Sequence, residues 1–111
     1  MVAMPYLPRE SDASLMRGPA FLESVDILVL ESYPPQYVLL IQGTLPTPCH
    51  ELRVRVSAPD EEGNVHIEVY SVADPQRVCI QVLKSFSERI PVLSGAGKYT
   101  FWVNGKKVGE K

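Results

Sequence analysis

A chain of 111 residues and 12.4 kDa is long enough for one core and too short for two. Its 45% apolar and 22% charged residues are globular proportions and exclude wholesale disorder. A formal charge of -2 with an isoelectric point near 5.6 speaks against the clustered basic face of a nucleic-acid binder, and no apolar run approaches the length of a membrane span.

Residues 1–22 show no period. Pro5, Pro8 and Pro19 break any helix, Gly18-Pro19 is a turn signal, and Arg9-Glu10-Ser11-Asp12 interrupts what would have to be the apolar region of a signal peptide. The expectation is an extended or partly ordered arm, with at most a helical turn around Asp12–Met16 capped by Ser11 or Asp12. Residues 23–111 read as the folded domain.

A first strand is expected over Ser24–Ser32, with Val25, Ile27 and Val29 on one face and Leu28 and Leu30 on the other. Tyr33-Pro34-Pro35-Gln36 stops it. Tyr37–Gly43 is nearly continuous in apolar residues, the pattern of a central strand covered on both sides. The clearest alternation follows: Leu52, Val54 and Val56 inward against Arg53, Arg55 and Ser57, then Val65, Ile67 and Val69 inward against His66, Glu68 and Tyr70. The acidic turn Pro59–Asn64 joins these two. Cys49 is out of phase with Leu52 and belongs to a turn or bulge.

Val78–Leu83 is a short apolar stretch, strand or irregular. Phe86–Leu93 is another strand, and Pro91 inside it asks for an edge or a bulge. Lys98–Asn104 sends Tyr99, Phe101 and Val103 inward and Trp102 outward. Asn104-Gly105 is a two-residue hairpin signal, followed by a short polar return strand that carries Lys106-Lys107. About seven short strands, with turns between them and no helical period, define an all-β chain, a small antiparallel immunoglobulin-like β-sandwich. Gly97-Lys98-Tyr99 has the look of a tyrosine corner, but Phe101 stands where an antibody domain would place a cysteine.

The two cysteines, Cys49 and Cys79, allow one pairing. Turn-like segments precede both, which favours a disulfide over two buried free thiols.

In order, Gly43-Thr44-Leu45-Pro46, Cys49, Val78-Cys79, Phe86 with Ile90-Pro91-Val92, Gly97-Lys98-Tyr99-Thr100 and Val103-Asn104-Gly105 resemble a group of small, uncharacterised bacterial secreted or lipoprotein domains. The resemblance covers about residues 24–105. It implies an immunoglobulin-like sandwich, a Cys49–Cys79 disulfide and a secreted or cell-envelope setting, as a mature form without its signal rather than a cytoplasmic protein. It supplies no catalytic residues. The lipoprotein signal of that group is missing here, and the return strand is more polar than theirs.

Residue chemistry points the same way. His50 and His66 have no ligand spacing, so no metal or other cofactor is expected. The Asp60–Asn64 turn lacks the spaced ligands of a calcium loop, no serine sits in an elbow motif, and an enzyme is not expected. Outward Trp102, Tyr70, Arg53 and Arg55 are the residue types of interface anchors and sugar platforms. The leading expectation is a non-catalytic envelope or extracellular module, monomer or weak dimer, that binds a protein or glycan or serves structurally beside a larger assembly. The alternative is a protease-inhibitor-like sandwich presenting Thr44–Cys49 and Ser94–Lys98 to an enzyme cleft. The apolar residues of the arm, Tyr6, Leu7, Met16 and Phe21, are expected to cover Trp102.

Overall fold

The computed structural model describes residues 6–111. Among these described residues a 3₁₀ turn, Glu10–Ser14, precedes eight strands: β1 (Met16–Pro19), β2 (Phe21–Leu30), β3 (Gln36–Leu45), β4 (Glu51–Val56), β5 (Asn64–Ala73), β6 (Lys84–Ser94), β7 (Thr100–Val103) and β8 (Lys106–Glu110). They form two sheets, one of five strands and one of three. The protein is an all-β sandwich.

β5 is the hub of the larger sheet. On one edge it pairs antiparallel with β4 from Val72 to Ile67. On the other edge it pairs with two strands laid end to end. β1 takes Tyr70–Ala73 in antiparallel register, and β7 takes Asn64–Ile67 in parallel register. β8 completes the sheet beyond β7. The sandwich is antiparallel except for the β5–β7 pair, where no turn joins the two strands and their direction is set by the long return through β6. In the smaller sheet β3 lies between β2 and β6.

The alternating rows behave as their period requires. Leu52 and Val54 of β4, Val65, Ile67 and Val69 of β5, and Phe101 and Val103 of β7 face Ile27, Tyr37, Leu39, Ile41 and Ile90 across the core. Tyr37 packs edge-on against Tyr99 and tilted against Phe101, with centroids 5.5 and 5.3 Å away. The Tyr99 hydroxyl donates back to the Ala96 carbonyl at 3.2 Å, the local bond of the expected corner. Pro91 lies on β6, an edge strand, beside a register shift between Tyr37 and Val38.

Several expectations change. The arm is part of the sandwich: Met16–Pro19 is a strand, and β2 begins at Phe21 rather than Ser24. The helical turn falls at Glu10–Ser14, with the Asp12 carboxylate accepting from the Arg9 amide at 3.0 Å. Residues 1–5 of the predicted arm lie outside the described residues. The inner row of β3 feeds the core, while Val38 and Leu40 face outward, Val38 buried and Leu40 half-buried. Of the two readings left open for Val78–Leu83, the structure takes the irregular one, and Val78 is 96% exposed.

Gly43 is fixed by a close approach. β2 carries a register shift between Leu22 and Ser24, which brings the Phe21 carbonyl oxygen onto the space a Cβ at residue 43 would need. The hairpin between β7 and β8 turns through Asn104 at φ 51° and Gly105 at φ 83°, the left-handed pair that such a turn demands.

Candidate functional site

The disulfide joins Cys49, in the turn between β3 and β4, to Cys79 in the irregular segment after β5, with Cα atoms 6.1 Å apart. It anchors a segment whose Val78, Ile80, Val82 and Leu83 are all exposed. Beside it, buried Thr47 shares a 2.8 Å hydrogen bond with His50 Nδ1 and accepts from the Cys49 amide at 3.2 Å. His50 therefore braces this turn.

The outward row of the five-stranded sheet places Arg53 opposite Tyr70, Arg55 opposite Glu68, and His66 opposite Trp102. The four residues singled out in the sequence, Trp102, Tyr70, Arg53 and Arg55, thus share one face. They do not share one environment. Arg53 is 3% exposed. It donates to both oxygens of Asp12 at 3.0 and 3.2 Å, to Glu51 at 3.2 Å and to its neighbouring Leu52 carbonyl at 3.0 Å. The hydrogen bond from Arg53 holds the Asp12 carboxyl below its ordinary range. Arg53 is the clamp that seats the 3₁₀ turn, not a free surface group.

Tyr70 and Trp102, but neither Arg53 nor Arg55, line a groove of about 490 Å³ where β1 ends and β7 ends along β5. β1 supplies one wall, with Arg17 stacked 4.1 Å over the Tyr70 ring and paired with Glu68 at 3.3 Å. The other wall is Trp102, which lies 21° from parallel to the His66 ring with centroids 6.1 Å apart. The indole Nε1 donates to Asn64 at 3.0 Å, which fixes the ring plane.

The floor contains an interruption in backbone pairing. β7 reaches only to Ile67 and β1 begins only at Tyr70. The Asn104 side chain spans the break, accepting from the Val69 amide at 2.8 Å and donating to the Val69 carbonyl at 3.0 Å. A primary amide has the same donor and acceptor as a peptide group, so it stands in for one residue of a missing strand.

Among the described residues, the apolar side chains of the arm do not cover Trp102 as expected. Tyr6 packs against the core cluster, while Leu7, Met16 and Phe21 stay exposed. Burial, followed by a hydrogen bond to Glu88, raises the pKa of Tyr6. Arg17 and Asn104 were not foreseen as lining residues. Arg17 sits in a stretch with no period, and Asn104 was legible only as a turn former. Among the described residues no group of three His, Cys, Asp or Glu side chains could hold a metal ion, and no helix is long and apolar enough to cross a membrane.

The two loops of the inhibitor-like reading leave opposite ends of the smaller sheet. The register of β3 with β6 runs from Gln36 beside Ser94 to Leu45 beside Lys84, which separates the loops by roughly 30 Å.

Two packed sheets, with a groove on one outer face, define a β-sandwich domain. The sequence model of the ORF11 beta-sandwich domain matches residues 39–110, and the chain belongs to that family. No curated protein and no solved structure matches the chain. The matched stretch contains Trp102, His66, Tyr70 and Asn104, whereas Arg17 and the rest of the β1 wall precede it.

Proposed function

We propose that the protein is a non-catalytic binding module of the extracellular space or cell envelope, and that it holds a short glycan in the groove between β1 and β7. The observation that carries this reading is the groove: an oriented indole on one wall, and Arg17, Glu68 and Asn104 around it. An aromatic face suits the apolar face of a sugar ring, and fixed carboxylate, guanidinium and amide groups suit its hydroxyls. The disulfide fits an oxidising compartment. Acid–base chemistry finds little support in the lining, because its carboxylate, Glu68, faces Arg17 and its imidazole, His66, lies against Trp102. The inhibitor-like reading is weakened by its two loops standing at opposite ends.

Trp102 is the single tryptophan, so its fluorescence reports occupancy of the groove. Titration with a panel of neutral oligosaccharides should give a saturable shift in emission for at least one of them. Trp102→Ala and Arg17→Ala should each remove that binding, measured by calorimetry, while the thermal midpoint stays near that of the parent. A panel that produces no saturable change by either method rejects the glycan reading.

A further inference from the structure

The outer face of the three-stranded sheet has the opposite character. Leu28 and Leu30 of β2, Val38 and Leu40 of β3 and Pro91 of β6 point away from the core by register. Leu30 and Pro91 are exposed, and Leu28 and Leu40 are half-buried. Val38 is only 6% exposed although it lies outside the core cluster, so its neighbours on this face close around it. The patch is therefore continuous.

One row across this face carries charge. Asp26 pairs with Leu40, and Leu40 pairs with Arg89. A carboxylate, a leucine and a guanidinium stand in line, the two charges about 10 Å apart across three strands. Both charged residues are exposed, and Arg89 makes no ion pair among the described residues. One Asp26 oxygen accepts from the Ile27 amide at 2.8 Å, which leaves the second available.

We propose that this face is the interface of a homodimer, in which two copies pack sheet to sheet about a two-fold axis parallel to β3. Rotation about that axis exchanges the two sides of the sheet, so Asp26 of each copy lies over Arg89 of the other. The Leu40 side chains meet at the axis. A two-fold axis perpendicular to the strands would set Asp26 on Asp26 and Arg89 on Arg89, and like-charge contact disfavours it. The charges thus select one isologous arrangement. Ten residues of β3 and three strands give a face of roughly 30 by 15 Å. That is smaller than the roughly 800 Å² per partner of a standard interface, and it fits a weak, transient dimer.

Sedimentation equilibrium from roughly 10 μM to roughly 1 mM tests the proposal. The weight-average mass should rise from 12.4 kDa toward twice that value. Leu40→Glu and Arg89→Glu should each hold the chain at monomer mass with the thermal midpoint unchanged. An equimolar mixture of Arg89→Glu and Asp26→Arg should associate again, since opposite charges then face each other at both positions. Added salt should weaken the parent dimer, a readout that needs no variant to fold. A monomer at every concentration overturns the proposal. So does association that is indifferent to Leu40→Glu, or indifferent to both salt and Arg89→Glu.

Discussion

Asn104→Gly isolates the amide that completes β5. Glycine keeps the backbone at ease at φ 51° and removes both side-chain bonds to Val69. Val69 is 3% exposed, so its freed amide and carbonyl meet water only through the groove. At about 1 kcal/mol net for each bond, with partial rehydration, the loss is about 2 kcal/mol. With an unfolding entropy near 2.1 cal/mol/K per residue, that is about 9 °C in midpoint for a chain of this length. Asn104→Ala should cost about 1 kcal/mol more, because a Cβ without a polar partner is strained in the left-handed region. Urea unfolding followed by circular dichroism gives the energies, and amide exchange resolved at Val69 gives the location. If Asn104→Gly lies within about 0.5 kcal/mol of the parent, or Val69 keeps its protection, the side chain is not bridging the sheet and the reasoning fails.

Gly43→Ala should destabilise by more than about 2 kcal/mol in urea, since its Cβ meets the Phe21 carbonyl oxygen and backbone must move. Reducing the Cys49–Cys79 bridge frees a closed loop with a sequence separation of 30 and should lower stability by about 3.6 kcal/mol on the chain-entropy estimate. Equal unfolding curves with and without reductant would contradict this. Asp12 has a folded pKa below its ordinary value of 3.8, so its pairing with Arg53 contributes fully above that value and is lost as pH falls through the lower folded one. The acid limb of the midpoint-against-pH curve should therefore flatten in Asp12→Asn. An unchanged limb would show that the Arg53 clamp does not titrate.

The rows Leu52-Val54-Val56 and Val65-Ile67-Val69 were legible because a half-buried strand writes its burial at every second residue. Asn104-Gly105 was legible because the turn geometry is local. Neither signal reaches pairings between distant segments. Met16-Arg17-Gly18-Pro19 is a strand because β5 offers an open edge, and the tetrapeptide itself carries no period. Arg53 was rightly placed on the outward face, but its burial depends on Asp12, which lies 41 residues earlier. The groove needs both distant events, which explains why Trp102 and Tyr70 could be named and the Arg17 wall could not. The aliphatic run of β3 was ambiguous for another reason: covered and uncovered outer rows are written in the same residues.

The end-to-end placement of β1 and β7 on one edge of β5 also sets an order of assembly. Met16 pairs with Ala73, and Asn64 pairs with Thr100. On the ribosome, β1 is made first yet has no partner until β5 has emerged. β4 and β5, joined by a short turn, can form a hairpin as soon as both are out. During that interval the far edge of β5 is bare, an unpaired strand edge of the kind that recruits other chains. It is closed from two directions: β1 folds back from the older end, and β7 arrives from the newest. Pairings of such long sequence separation form slowly, so the nascent chain is most exposed to misassembly just before β7 and β8 appear.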